Sequence, residues 1–103
     1  MTTFDEREKG FERKFALDEE QKFRANARRN RLLGEWAAGK LGKTADDAAA
    51  YAKEVVASDF AEAGHEDVFN KVRGDLPASV SDEDIRTAME QFLIQAATEV
   101  KAG

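Results

Sequence analysis

SDEDIRTAMEQFLIQAATEV, residues 81–100, decides the fold. Ile85, Ala88, Met89, Phe92, Ala96 and Val100 recur at separations of three and four. At 3.6 residues per turn that spacing gathers them on one side of a helix. Ser81 precedes the run with Asp84 three residues on, the arrangement of an N-cap and its first turn. A helix with one apolar side must bury it against something. The rest of the chain supplies more helices of the same kind.

Working towards the N-terminus, residues 66–73 form a short third helix with Val68, Phe69 and Val72 inward. Gly74 is expected to end it, and Pro77 prevents simple continuation. The second helix is expected over residues 45–63, with Thr44 and Asp47 as a capping-box-like start. Its apolar face is Ala48, Ala52, Val55, Val56 and Phe60, with Tyr51 at one edge and Gly64 as the stop. The first helix is expected over residues 19–41. Asp18 caps it, and Glu19 and Glu20 suit the positive end of its dipole. Phe23, Ala27, Leu33, Ala37 and Leu41 make its inward stripe, flanked by Leu32 and Trp36. Gly42 closes it, with Lys40 and Lys43 at its negative end. These elements predict an all-α protein: a four-helix bundle over residues 18–103, preceded by a flexible arm over residues 1–17.

The arm and the start of the first helix read MTTFDEREKGFERKFALDEEQKF. Phe4, Phe11 and Phe15 are spaced for one helical stripe, and nearly everything around them is charged. Gly10 interrupts the pattern at a cost of roughly 1 kcal/mol relative to alanine. Such a segment buries too little apolar surface to hold a helix alone. It reads either as a tail or N-terminal extension of the first helix, or as a segment that orders in a partner's groove.

Composition narrows the function. The 103 residues suffice for one small domain, and 42% hydrophobic residues supply one core. There is no cysteine, which excludes disulfides and thiolate metal sites and fits a reducing compartment. No apolar run reaches membrane-spanning length, and no secretory signal is visible, so a cytoplasmic protein is expected. The net charge of −5 is uneven. Residues 23–43 carry six bases against one acid, and residues 44–103 carry thirteen acids against five bases.

Little in the chain points to catalysis. His65 is the lone histidine and reads as a solvated residue between helices. Ser58, Ser79 and Ser81 lack any second feature of a triad. The acidic clusters Asp46/Asp47, Glu66/Asp67 and Asp82/Glu83/Asp84 each fall in a predicted first helical turn, where negative charge belongs. No EF-hand loop and no glycine-rich phosphate loop is present. No metal, no cofactor and no enzymatic activity is expected. Arg24, Arg28 and Arg31 fall close together around the helix circumference, with Arg29 pointing elsewhere. They read as a solvated face, with Arg24 or Arg28 paired to acids of the arm, or as a dock for an acidic surface or a polyanion such as a nucleotide. Nucleic acid is disfavoured by the acidic remainder of the domain.

The stretch TTFDEREKGFERKFALDEEQKFRANARRNRLLGEWAA resembles the start of the zeta subunit of the α-proteobacterial F-type ATP synthase. LGKTADDAAAYAKEVV, DFAEAGHEDVF and VSDEDIR continue the likeness, so it covers essentially the whole chain. The resemblance implies an inhibitor of ATP hydrolysis by the synthase's catalytic head. It implies an arm that inserts as a helix at a catalytic interface between the alpha and beta subunits, near the gamma rotor. Thr2, Thr3, Phe4, Asp5, Arg7, Glu8, Phe11, Phe15 and Leu17 match the family's inhibitory segment. Gly10 stands where a better helix former is expected. The location implied is cytoplasmic, peripheral to the inner membrane through the synthase, with no membrane insertion of its own. The second reading is a small helical nucleotide- or anion-binding regulator that uses Arg24, Arg28 and Arg31.

Overall fold

Helix α1 (Glu19–Lys40) starts on a reciprocal cap. The Gln21 amide donates to the Asp18 carboxylate at 2.7 Å, and the Asp18 amide donates to the Gln21 side chain at 3.1 Å. This computed structural model describes residues 15–58 and 65–102. The expectations for residues 1–14, Phe60 and Gly64 lie outside the described residues. At the other end of α1, Gly42 turns with φ +74°. Its amide donates to the Gly39 carbonyl at 3.1 Å, and the Lys43 amide donates to Ala38 at 3.0 Å. That pair of bonds satisfies carbonyls the helix end leaves open, and the left-handed φ is why glycine closes it.

Helix α2 (Ala45–Ala57) begins after Thr44, but the expected capping box does not form. The Thr44 hydroxyl instead faces the Asp47 carboxylate at 3.5 Å. The helix stops at Ala57, earlier than residue 63. The Ser58 hydroxyl donates to the Val55 carbonyl at 2.6 Å, a side-chain bond to backbone that competes with helix continuation. Helix α3 (His65–Asp75) runs through Gly74 rather than ending before it. A glycine costs a helix only about 1 kcal/mol, and the flanking side chains hold this turn. Asp75 accepts from Tyr51 of α2 at 2.9 Å and from Lys71 at 3.0 Å. Helix α4 (Asp82–Ala102) starts as expected, with the Asp84 amide donating to the Ser81 hydroxyl at 3.0 Å.

The corner between α3 and α4 is tied by one guanidinium. Arg73 donates to the carbonyls of Val80 at 2.7 Å, Pro77 at 2.8 Å and Leu76 at 3.4 Å, and to the Asp82 carboxylate at 2.8 Å. Beside it, Arg86 lies 3.9 Å from the centre of the Phe69 ring and makes two bonds to Glu66.

Among the described residues there are four helices and no strand, as an all-α bundle requires. The main core joins Leu33, Tyr51, Val55, Val68, Val72, Ile85 and Met89. At the centre of the α1–α2 contact, Gly34 lies against Ala52: a Cβ on Gly34 would stand 2.7 Å from the Ala52 Cα. A second, smaller cluster joins Leu17, Ala25, Ala96, Ala97 and Val100, with Phe15 packed on it. Small residues dominate there, which lets the N-terminal half of α1 lie close to the end of α4.

The inward stripe of α1 differs from the expected one. Leu33 and Ala37 are buried, but Phe23 is 74% exposed. Ala25, Arg29 and Asn30 take the buried positions instead. The reason lies in helix lengths. With Gly34 opposite Ala52 in an antiparallel hairpin, the turn opposite Phe23 would fall beyond Ala57, where α2 has stopped. Phe23 therefore has no α2 turn to pack against.

Candidate functional site

Two features are candidates for a functional site: the root of the N-terminal segment, and a groove lined by residues of α1 and α2. The root is built by Leu17, 9% exposed, which fits among Ala25, Ala96, Ala97 and Val100. Ala16, just before it, adopts a left-handed backbone with φ +51°. That conformation is costly for a residue with a Cβ. It turns the chain sharply between Phe15 and the Asp18 cap, so the chain does not run straight into α1. Phe15 and Leu17 thus sit on the domain. Thr2, Thr3, Phe4, Asp5, Arg7, Glu8 and Phe11 lie outside the described residues.

The structure brings Arg24, Arg28 and Arg31 together. With Phe23, Ala27 and the α2 residue Val56 they line an open groove of about 370 Å³. A second depression, of about 320 Å³, continues from Arg31 and Val56 along Glu35, Ala49, Ala52, Lys53 and Ala57. The floor is alanine and valine, and the rim is mostly basic. Arg28 donates to Glu99 of α4 at 3.1 Å, and the acids of the arm lie outside the described residues. Glu99 is held below the ordinary carboxylate range by its hydrogen bonds from Gln95 and Arg28. Among the described residues, neither Arg24 nor Arg31 makes an ion pair.

Arg29 does point elsewhere, as its position on the helix requires. It is completely buried, and its Nε donates to the Asn30 Oδ1 at 2.6 Å. Sequence reasoning missed this buried polar pair, because an arginine in a basic run reads as exposed. It missed Phe23, Lys53 and Val56 as groove residues as well. The early Ser58, a residue prone to bond its own backbone, was the available signal.

The other candidates are structural. The clusters Asp46/Asp47, Glu66/Asp67 and Asp82/Glu83/Asp84 occupy the first turns of α2, α3 and α4. His65 opens α3 rather than lying between helices. Among the described residues no group of His, Cys, Asp and Glu is placed to hold a metal ion. No described helix is long and apolar enough to cross a membrane.

No curated protein matches the chain. A family model described as ATPase inhibitor subunit zeta matches residues 1–99.

Proposed function

The chain belongs to the ATPase inhibitor subunit zeta family, and from that membership we propose that it blocks ATP hydrolysis by the catalytic head of the F-type ATP synthase through its N-terminal segment. The observation that carries this reading is the reach of the family match. It begins at residue 1 and so includes the charged, phenylalanine-bearing leader together with the four helices. In this mechanism residues 1–14 enter, as a helix, a catalytic interface between the alpha and beta subunits close to the gamma rotor. A wedge there stops the subunits from closing and opening in turn, and the rotor stalls. The protein acts by binding and performs no chemistry of its own.

The residues fit these roles. Phe4 and Phe11 are aromatic anchors, the type of side chain that dominates interface energy when buried in a partner's groove. Thr2, Thr3, Asp5, Arg7 and Glu8 supply polar contacts around them. Phe15 and Leu17 act differently, because both pack on the bundle. They set the point from which the segment departs. The bundle then serves as a body too large to follow the wedge into the head.

The test is ATP hydrolysis by an inhibitor-depleted catalytic head from a matching synthase, with the full chain added. Dose-dependent inhibition is expected, and removal of residues 1–14 should abolish it. Inhibition that survives the truncation would refute the wedge.

A further inference from the structure

The groove between α1 and α2 has a shape and charge that the wedge does not use. Its floor is Ala27, Ala52 and Val56, and Phe23 stands at one end, 74% exposed. Arg24, Arg28 and Arg31 run along the α1 rim, and Lys53 stands on the α2 side. Among the described residues Glu35 is the one acid lining it. From Arg24 to Arg31 is seven residues, about 10 Å along the helix axis. An acidic helix with carboxylates at positions i, i+4 and i+7 repeats that spacing, and its apolar side would cover the alanine floor and the Phe23 ring.

We propose that this groove is a docking site for an acidic amphipathic helix of the ATPase head, gripping the bundle while the N-terminal segment does the blocking. The proposal rests on the inhibitor reading above, and it assigns the bundle a binding role of its own. Charge complementarity decides the occupant. A compact phosphate needs donors that converge on one point, including helix N-terminal amides. Here the cations are strung along a rim, and the start of α1 is closed by Asp18, Glu19 and Glu20. A rim of this kind speeds encounter and fixes register, while the apolar floor and Phe23 supply hold. Arg28, already bonded to Glu99, contributes less than Arg24 and Arg31.

The experiment uses the full chain and the isolated catalytic head. Binding by co-sedimentation is scored separately from hydrolysis, so an arm that fails to inhibit is told apart from a groove that fails to dock. The variant Phe23→Ala/Arg24→Glu/Arg31→Glu changes exposed side chains alone, and circular dichroism confirms its fold. Its binding to the head should weaken by about tenfold or more, with inhibition at saturating protein still complete. Because the chain has no cysteine, Ala27→Cys can carry a photo-crosslinker on the groove floor. It should capture a head segment bearing acids at helical spacing. Unweakened binding of the triple variant overturns the proposal. So does a crosslink confined to the chain itself, or to a head segment without acids. Displacement of the parent from the head by pyrophosphate, at constant ionic strength and with the triple variant insensitive to it, would make the groove an anion site and overturn it too.

Discussion

Gly34 meets Ala52 backbone to backbone. A Cβ at Gly34 would stand 2.7 Å from the Ala52 Cα and 3.2 Å from the Cβ atoms of Ala52 and Val55. All three atoms are Cα or Cβ positions that cannot swing aside. Gly34→Ala should therefore force α1 and α2 apart. Overpacking costs about 1–3 kcal/mol, and alanine returns up to about 1 through helix propensity. A net loss of about 1–2 kcal/mol lowers the melting temperature by roughly 5–10 °C. Gly39→Ala meets nothing within 4 Å and is the control. Thermal denaturation should show it unchanged or more stable.

Ala16 offers the opposite sign. Its φ of +51° is a conformation glycine adopts freely. Ala16→Gly should raise stability by about 0.5–1 kcal/mol, read as a shift of the urea midpoint with unchanged slope.

The root of the segment and the segment itself should separate in their effects. Leu17→Ala empties a buried position in the small cluster, at a cost of about 2 kcal/mol. Removal of residues 1–14 leaves every described residue of both clusters in place. The truncated chain should melt within about 3 °C of the parent, an interval worth less than about 1 kcal/mol. Calorimetry on both variants checks the contrast.

In the wedge mechanism, Phe4→Ala/Phe11→Ala should raise the half-inhibitory concentration at least about tenfold, equivalent to about 1.4 kcal/mol. The bundle's circular dichroism should not change. Dose–response curves beside the parent decide it.

The bond network between α2 and α3 predicts a pH dependence. Burial pushes the Asp75 carboxyl up, but hydrogen bonds from Lys71 and Tyr51 outweigh it and hold it below its ordinary 3.8. A depressed carboxyl stabilises the fold above its unfolded value, and that contribution is lost as pH falls below about 4. Burial, then the hydrogen bond to Asp75, raise the Tyr51 hydroxyl above its ordinary 10.0. Lys71, bonded to Asp75 and Glu54, is raised above 10.5. Groups raised in the folded state stabilise it below those values and lose the contribution as pH climbs past them. Asp75→Asn should flatten the stability profile at both ends. Tyr51→Phe should flatten the alkaline end, at a cost of about 1 kcal/mol at neutral pH. Urea midpoints from pH 3 to pH 11 test both.

Much of this fold was legible before any coordinates. Asp18 and Ser81 mark helix starts because an N-cap is a local bond, complete within three residues. Gly42 marks a stop for the same reason. Gly74 does not, because contacts from Tyr51 and Lys71, distant or on another turn, carry the helix past it. Phe23 is the instructive case. Its spacing places it correctly on the side of α1 that faces α2, yet periodicity says nothing of how far the neighbouring helix extends. Arg29 is hidden for a related reason, since composition ranks an arginine as exposed and the depth of a helix face is set by what packs on it. The basic rim was legible as a row of charges. Its apolar floor was not, because Val56 and Lys53 come from the other helix.

The guanidinium of Arg73 has a consequence for which positions in the chain are free to vary. Three of its four acceptors are main-chain carbonyls, at Leu76, Pro77 and Val80. Carbonyls are present whatever side chains the connection carries. The path of the α3–α4 connection is therefore written largely in a residue outside it. Substitutions at Ala78 and Ser79, both exposed, should be silent, whereas even lysine at position 73 would lack the planar fork that reaches several oxygens at once. One side chain on α3 holds the information that a loop sequence elsewhere would have to encode.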